Sequence, residues 1–193
     1  MEVISSINKE EGLFLLKLAR RTIDHYLRTG EVLHMSEDNI PFENLKKAGA
    51  SFVTLKTKKG QLRGCIGSII PHTHLYQDVI HNAISAAVSD PRFSPLSIDE
   101  LKSVRIKLSI LTYPEKIEHQ DWRELLSKIE PYKDGLIIKH KNKTTTFLPD
   151  VWETLPDKEL FMSNLCMKAD LPYNCYKIMD IEVFRYRTST FEE

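Results

Sequence analysis

A chain of 193 residues is long enough for one sizeable domain, or for a domain with a smaller lobe, at about 100–200 residues per domain, and can bury a core without staples. Lys plus Arg and Asp plus Glu stand at 27 each, so no field of one sign covers the surface, and nucleic acid is disfavoured as the partner although a local basic patch stays open. Three cysteines, Cys65, Cys166 and Cys175, are too few and too scattered for a disulfide framework, and no segment reads as a leader or approaches the ~20 apolar residues of a membrane helix, so the expectation is a soluble, cytoplasmic protein in a reducing compartment.

Asn8 followed by Glu11 has the form of a capping box, and Leu15, Leu16, Ala19, Ile23, Tyr26 and Leu27 then recur at helical spacing until Gly30. SFVTLKT, the turn KKGQ and LRGCIG predict a hairpin with Gly60 in the turn and LRGCIG as its second strand. Leu75, Val79, Ile80, Ala83, Ala86 and Ala87 form the stripe of a second helix, which delivers the loop SDPRFSPLS. Ser97 with Glu100 can cap a short helix before the alternating strand VRIKLSIL. In the second half, Asp121 with Glu124 can cap a helix, GLIIKH and TTTFL flank the turn KNK, Pro149 and Pro156 punctuate PDVWETLPD, and Asp157 can start another helix. A final strand is expected over IMDIEVFRYR. Hairpins interspersed with helices predict an α+β fold, mainly antiparallel, rather than a repeated strand-helix-strand unit.

LRGCIG carries the most suggestive chemistry. Alternation along a strand puts Arg63 and Cys65 on one face, while Gly64 and Gly67 weaken the strand unless the chain bulges or something approaches its backbone closely. Cys65 is a candidate nucleophile if its thiol is activated, with Arg63 as electrostatic partner; the burial habits of cysteine favour packing instead. Arg63 and Arg92 can hold a carboxylate or phosphate through their planar guanidinium groups, or can form structural ion pairs with Asp90 or Asp99. Asp90, between a helix and a proline, is equally a turn former and an acid-base candidate.

Other residues carry weaker signals. Cys65 with His72 and His74 offers a metal donor set, but lacks zinc-type spacing and a fourth ligand, so no metal is expected. His81 reads as a surface residue. Phe147, Pro149 and Trp152 read as core in preference to a partner grip, and Arg185 and Arg187 as a solvated strand edge.

Taken together, LRGCIG, ISAAVSDPRFSPLSIDEL, SILTYPEKI, GLIIKHKNKTTTFLPDVWETLP and LCMKADLP resemble the AMMECR domain family from about residue 10 to residue 187. Its prokaryotic members are called AmmeMemoRadiSam system protein A, because they often accompany a Memo-like protein and a radical S-adenosylmethionine protein. The resemblance implies a single domain over 1–193 with two unequal lobes and a cleft between them, the larger lobe holding the 62–67 strand. It supplies no particular reaction and leaves the cofactor unknown. The function expected is a small anionic or polar ligand bound or acted on near Arg63, Gly64, Cys65, Gly67, Asp90 and Arg92, in a modification pathway with Memo-like and radical S-adenosylmethionine proteins. The alternative is a non-catalytic adaptor that grips a protein partner.

Overall fold

The first helix, α1 (Lys9–Thr29), begins and ends where the sequence places it. Asn8 and Glu11 exchange reciprocal side chain to backbone hydrogen bonds of 2.9 Å, and Gly30 closes the far end in the left-handed region at φ 76°. The computed structural model describes residues 2–4 and 6–193. After α1 come β1 (Ala48–Thr57), β2 (Leu62–Gly67), β3 (Thr73–His74), α2 (Leu75–Val88), α3 (Ile98–Leu101) and β4 (Val104–Leu111). Then follow β5 (Glu115–Lys116), α4 (Trp122–Lys128), β6 (Gly135–His140), β7 (Lys143–Phe147), α5 (Lys158–Lys168), α6 (Cys175–Ile178), β8 (Glu182–Tyr186) and β9 (Thr188–Glu192). The chain is an α+β fold divided into two compact units, residues 1–113 with 189–193, and residues 114–188.

The first unit is a sheet in the order β2-β1-β4-β9, with β3 paired to the start of β1. β1 runs antiparallel to both β2 and β4, in register from Ala50 opposite Leu111 to Thr57 opposite Val104. Strand alternation turns Val53, Leu55, Ile106 and Leu108 to one face, where they meet Leu15, Ala19 and Ile23 of α1 and Leu75, Val79 and Ala83 of α2 in a single core. Burying each such side chain contributes about 1.5–3 kcal/mol, so this face holds the unit together.

The second unit is a sheet in the order β5-β8-β6-β7 with its own core, built on Leu136, Ile138, Trp152, Phe161, Leu165 and Val183. Trp152 is fully buried, stacked on Phe161 at 3.7 Å, and donates its ring N–H to the Asp134 carbonyl at 2.8 Å. Phe147 meets the same Phe161 edge-on at 5.3 Å. These aromatics are core.

Three expectations are corrected. The segment IMDIEVFRYR is not one strand: Ile178 ends α6, β8 stops at Tyr186, and a further strand, β9, joins the other sheet beside β4. Arg185 lies within β8, 3.6 Å from Glu115, and Arg187 follows the strand and pairs with Glu130 at 2.9 Å, so the two do not form one solvated edge. The cysteines also behave differently from the expected set of thiols. The turn after α5 folds Cys175 back on Cys166, bringing their Cα atoms to 6.0 Å, and the two form a disulfide.

Candidate functional site

β2 is an edge strand, and its outer edge is closed by side chains. Asp90, buried at the end of α2, accepts the backbone N–H of Cys65 at 2.8 Å. Arg92 chelates the same carboxylate through Nε at 2.9 Å and Nη2 at 2.7 Å, and its backbone N–H adds a bond at 3.1 Å. Arg92 Nη2 also reaches the Cys65 carbonyl at 3.4 Å. The Asp90–Arg92 pair thus takes the place that a neighbouring strand would occupy, and covers an edge that would otherwise invite pairing. The Arg92 guanidinium, helped by the two backbone N–H donors, holds the Asp90 carboxyl far below the usual carboxylate range despite its burial.

Arg63 sits at an irregularity where Lys56 pairs with Leu62 and Leu55 with Gly64, leaving Arg63 without a partner in the register. Its guanidinium forms a fork with Glu100, Nε and Nη2 each at 3.1 Å, and Nη1 donates to the Ser94 carbonyl at 2.9 Å. The structural partner of Arg63 is therefore Glu100, in place of Asp90 or Asp99; Arg92 does pair with Asp90. The Phe93 ring has the Arg63 guanidinium carbon 5.9 Å and that of Arg92 5.5 Å from its centroid. The two arginines differ in availability: the Arg63 side chain is 13% exposed and that of Arg92 is 55% exposed.

Cys65, half-buried, stands opposite Thr54 on β1, and its Sγ shares a hydrogen bond of 3.1 Å with the threonine hydroxyl. The two glycines beside it have packing neighbours. A Cβ on Gly64 would lie 2.1 Å from the Ala86 carbonyl oxygen of α2, and one on Gly67 would lie 2.3 Å from the Phe52 ring and 2.5 Å from the Ser51 carbonyl oxygen. The close approach that glycine permits is thus made by the fold itself.

Next to this strand lies a buried polar cluster that strand and helix patterning does not point to. Asp78 of α2 accepts the hydroxyls of Ser51 and Ser68 at 2.6 Å each, and Asn82, one turn on, donates to Asp78 at 2.9 Å and to the Ser51 carbonyl at 3.0 Å. Burial pushes the Asp78 carboxyl above its ordinary value, against the pull of the two serines. A carboxylate and an amide four residues apart within an apolar helix stripe were the available signal.

The histidines do not converge. His72 is exposed, His74 Nδ1 lies 3.2 Å from Glu37, and His81 is exposed on α2. Among the described residues, no group of three or more His, Cys, Asp or Glu side chains is gathered as metal ligands would be. None of the described helices is long and apolar enough to cross a membrane.

The likenesses to known proteins are consistent over the whole chain. The AMMECR1 family model matches residues 16–191. A protein of Pyrococcus furiosus is 40% identical over 194 residues, covering 97% of this chain and 90% of its own. A protein of Methanopyrus kandleri is 36% identical, covering 95% and 89%. The crystal structure of an uncharacterized protein from Pyrococcus horikoshii superposes with a TM-score of 0.90 at 37% identity, covering 97% of this chain and 93% of that one. On the extent of these matches, the chain belongs to the AMMECR1 family.

Proposed function

We propose that the chain binds a small ligand bearing a carboxylate or phosphate at the β2 edge, with Arg92 as its main anchor and Cys65 and Arg63 beside it. One observation carries this reading. Asp90 fixes the Arg92 guanidinium through Nε and Nη2, while Nη1 makes no hydrogen bond among the described residues and the side chain remains 55% exposed. A preorganised guanidinium loses little rotamer freedom when an anion arrives. Following the family's association, the ligand belongs to a modification pathway that includes Memo-like and radical S-adenosylmethionine proteins.

The test is a thermal-shift screen of small carboxylates and phosphate esters on wild type, Arg92→Lys and Arg92→Gln, with each variant's own melting point as baseline. Ligands that stabilise wild type should lose most of their effect in Arg92→Gln and part of it in Arg92→Lys, which keeps the charge without the fork. An undiminished shift in Arg92→Gln overturns the reading.

A second reading, the adaptor, rests on exposed apolar side chains around the disulfide. Leu160, Met167, Tyr173 and Ile178 are each about half to two-thirds exposed, at 49%, 53%, 64% and 64%. Co-purification with a Memo-like partner that is lost on changing Leu160 and Tyr173 to serine supports it; unchanged co-purification removes this surface from consideration.

A further inference from the structure

An open pocket in the first unit is lined by Lys17, Arg20, Arg21 and Asp24 of α1, by Leu101 and Lys102, and by Glu193, and has a volume of about 410 Å³. Its charges do not cancel. Arg20 is committed: it donates to the Leu101 carbonyl at 2.7 Å, to the Val104 carbonyl at 2.8 Å and to the Glu193 carboxylate through Nε at 2.9 Å. Asp24 is also committed, held by Arg28 at 2.9 Å. The two side-chain carboxylates of the lining are thus each matched by an arginine.

What is left over is cationic. Lys17 and Arg21 are exposed one turn apart on α1, a like-charge spacing that destabilises a helix, and neither has an ion-pair partner among the described residues. Lys102 has only a distant contact, 4.0 Å from Asp99. Two ammonium groups and a guanidinium around a wall made rigid by Arg20 are suited to a compact dianion more than to a single carboxylate. The pocket also exceeds what an inorganic anion fills and lies in the size range of small-molecule sites, about 300–1,000 Å³.

We propose that this pocket binds a phosphate group carried by a small molecule, with Lys17, Arg21 and Lys102 as its cationic walls. The pocket shares no lining residue with the Arg92 site. Calorimetric titration of the full chain with glycerol 3-phosphate and with inorganic phosphate, in chloride buffer, tests it. Both probes should bind, the ester more tightly. Removing charge in Lys17→Gln with Arg21→Gln, or in Lys102→Gln, should weaken binding of the ester roughly tenfold, the loss of one or more charge-assisted hydrogen bonds. The pocket variants are compared in an Arg92→Gln background, which silences the other site, and there the hairpin-tip pair Lys58→Gln with Lys59→Gln should leave binding of the ester unchanged. Failure of wild type to bind either probe overturns the proposal, as does equal weakening in the hairpin-tip variant, which would mark general charge screening. Loss of binding in Arg92→Gln alone would move the anion to the other site, and equal affinity for the two probes would overturn the small-molecule part.

Discussion

Asp90 accepts the Cys65 amide at 2.8 Å, so a side chain from the end of α2 completes the hydrogen bonding of an edge strand. Because the carboxylate also holds Arg92, its charge and its geometry are both in use. Asp90→Asn should destabilise the protein by about 1–3 kcal/mol at neutral pH, the cost of weakening a charge-assisted network around a buried group. The sign with pH follows from a folded-state pKa held well below the ordinary 3.8: the contribution is present in full above the ordinary value and is lost progressively as pH falls from there through the lower folded-state value. Urea unfolding of wild type and Asp90→Asn from acid to neutral pH should therefore show a gap that narrows toward acid. A constant gap would mean that the carboxylate's charge is not what matters.

Asp78 should behave in the opposite sense. Its folded pKa lies above the ordinary 3.8, because desolvation outweighs the serine hydrogen bonds. Folding then favours the protonated form, and wild-type stability falls as pH rises from about 4 toward the raised value. Asp78→Asn cannot ionise, so it should gain on wild type over the same window. Denaturation midpoints of the two proteins across that range decide the matter, and parallel curves refute it.

Gly64→Ala should cost about 1–3 kcal/mol, in the range of core overpacking, because its Cβ would meet a helix carbonyl that cannot swing aside. The melting temperature should fall, and a variant that also relieves α2 at Ala86 will not restore it, since the obstruction is backbone. A neutral Gly64→Ala would show that α2 can slide on the sheet.

The Cys166–Cys175 bridge closes a short loop, nine residues apart in sequence. Constraint of the unfolded chain over a loop of that size is worth about 2–3 kcal/mol. Replacing both cysteines by alanine should lower stability by that amount and abolish the sensitivity of wild-type melting to reductant. In the native, oxidised protein, iodoacetamide should label half-buried Cys65 alone, more slowly than after denaturation. Mass spectrometry of the alkylated chain reads both outcomes, and labelling of Cys166 or Cys175 without reductant would contradict the bridge.

Much of the frame was legible in the residues. The two capping boxes, Asn8 with Glu11 and Ser97 with Glu100, are formed as their spacing implies, and the hairpin closes at Gly60 with φ 80°. What escaped reading has physical causes. Thr188–Glu192 has one apolar residue, Phe191, among polar ones, so period-two patterning gives it no signal, and it becomes a strand through pairing to a distant neighbour. Glu100 explained itself as a helix cap, yet the same carboxylate also takes Arg63, a contact 37 residues away that spacing does not encode. The disulfide was hidden because no pattern shows that Ala169 and Asp170 end α5 and turn the chain back. At the site, the residue types of LRGCIG and DPRF were visible, but their partition into a committed arginine and an exposed one was not.

The return of the chain at β9 has a consequence for how the protein can be divided. The last strand lies beside β4 in the first sheet, with Ser109 and Thr190 hydroxyls 3.4 Å apart, so residues 114–188 are a guest spliced between two neighbouring strands of a host. Joining Tyr113 to Ser189 through a short turn would make those strands an ordinary hairpin. Such a trimmed chain retains in its sequence every residue of the β2 edge and of the proposed phosphate pocket, and a cooperative melt of it would show that the host folds without the guest.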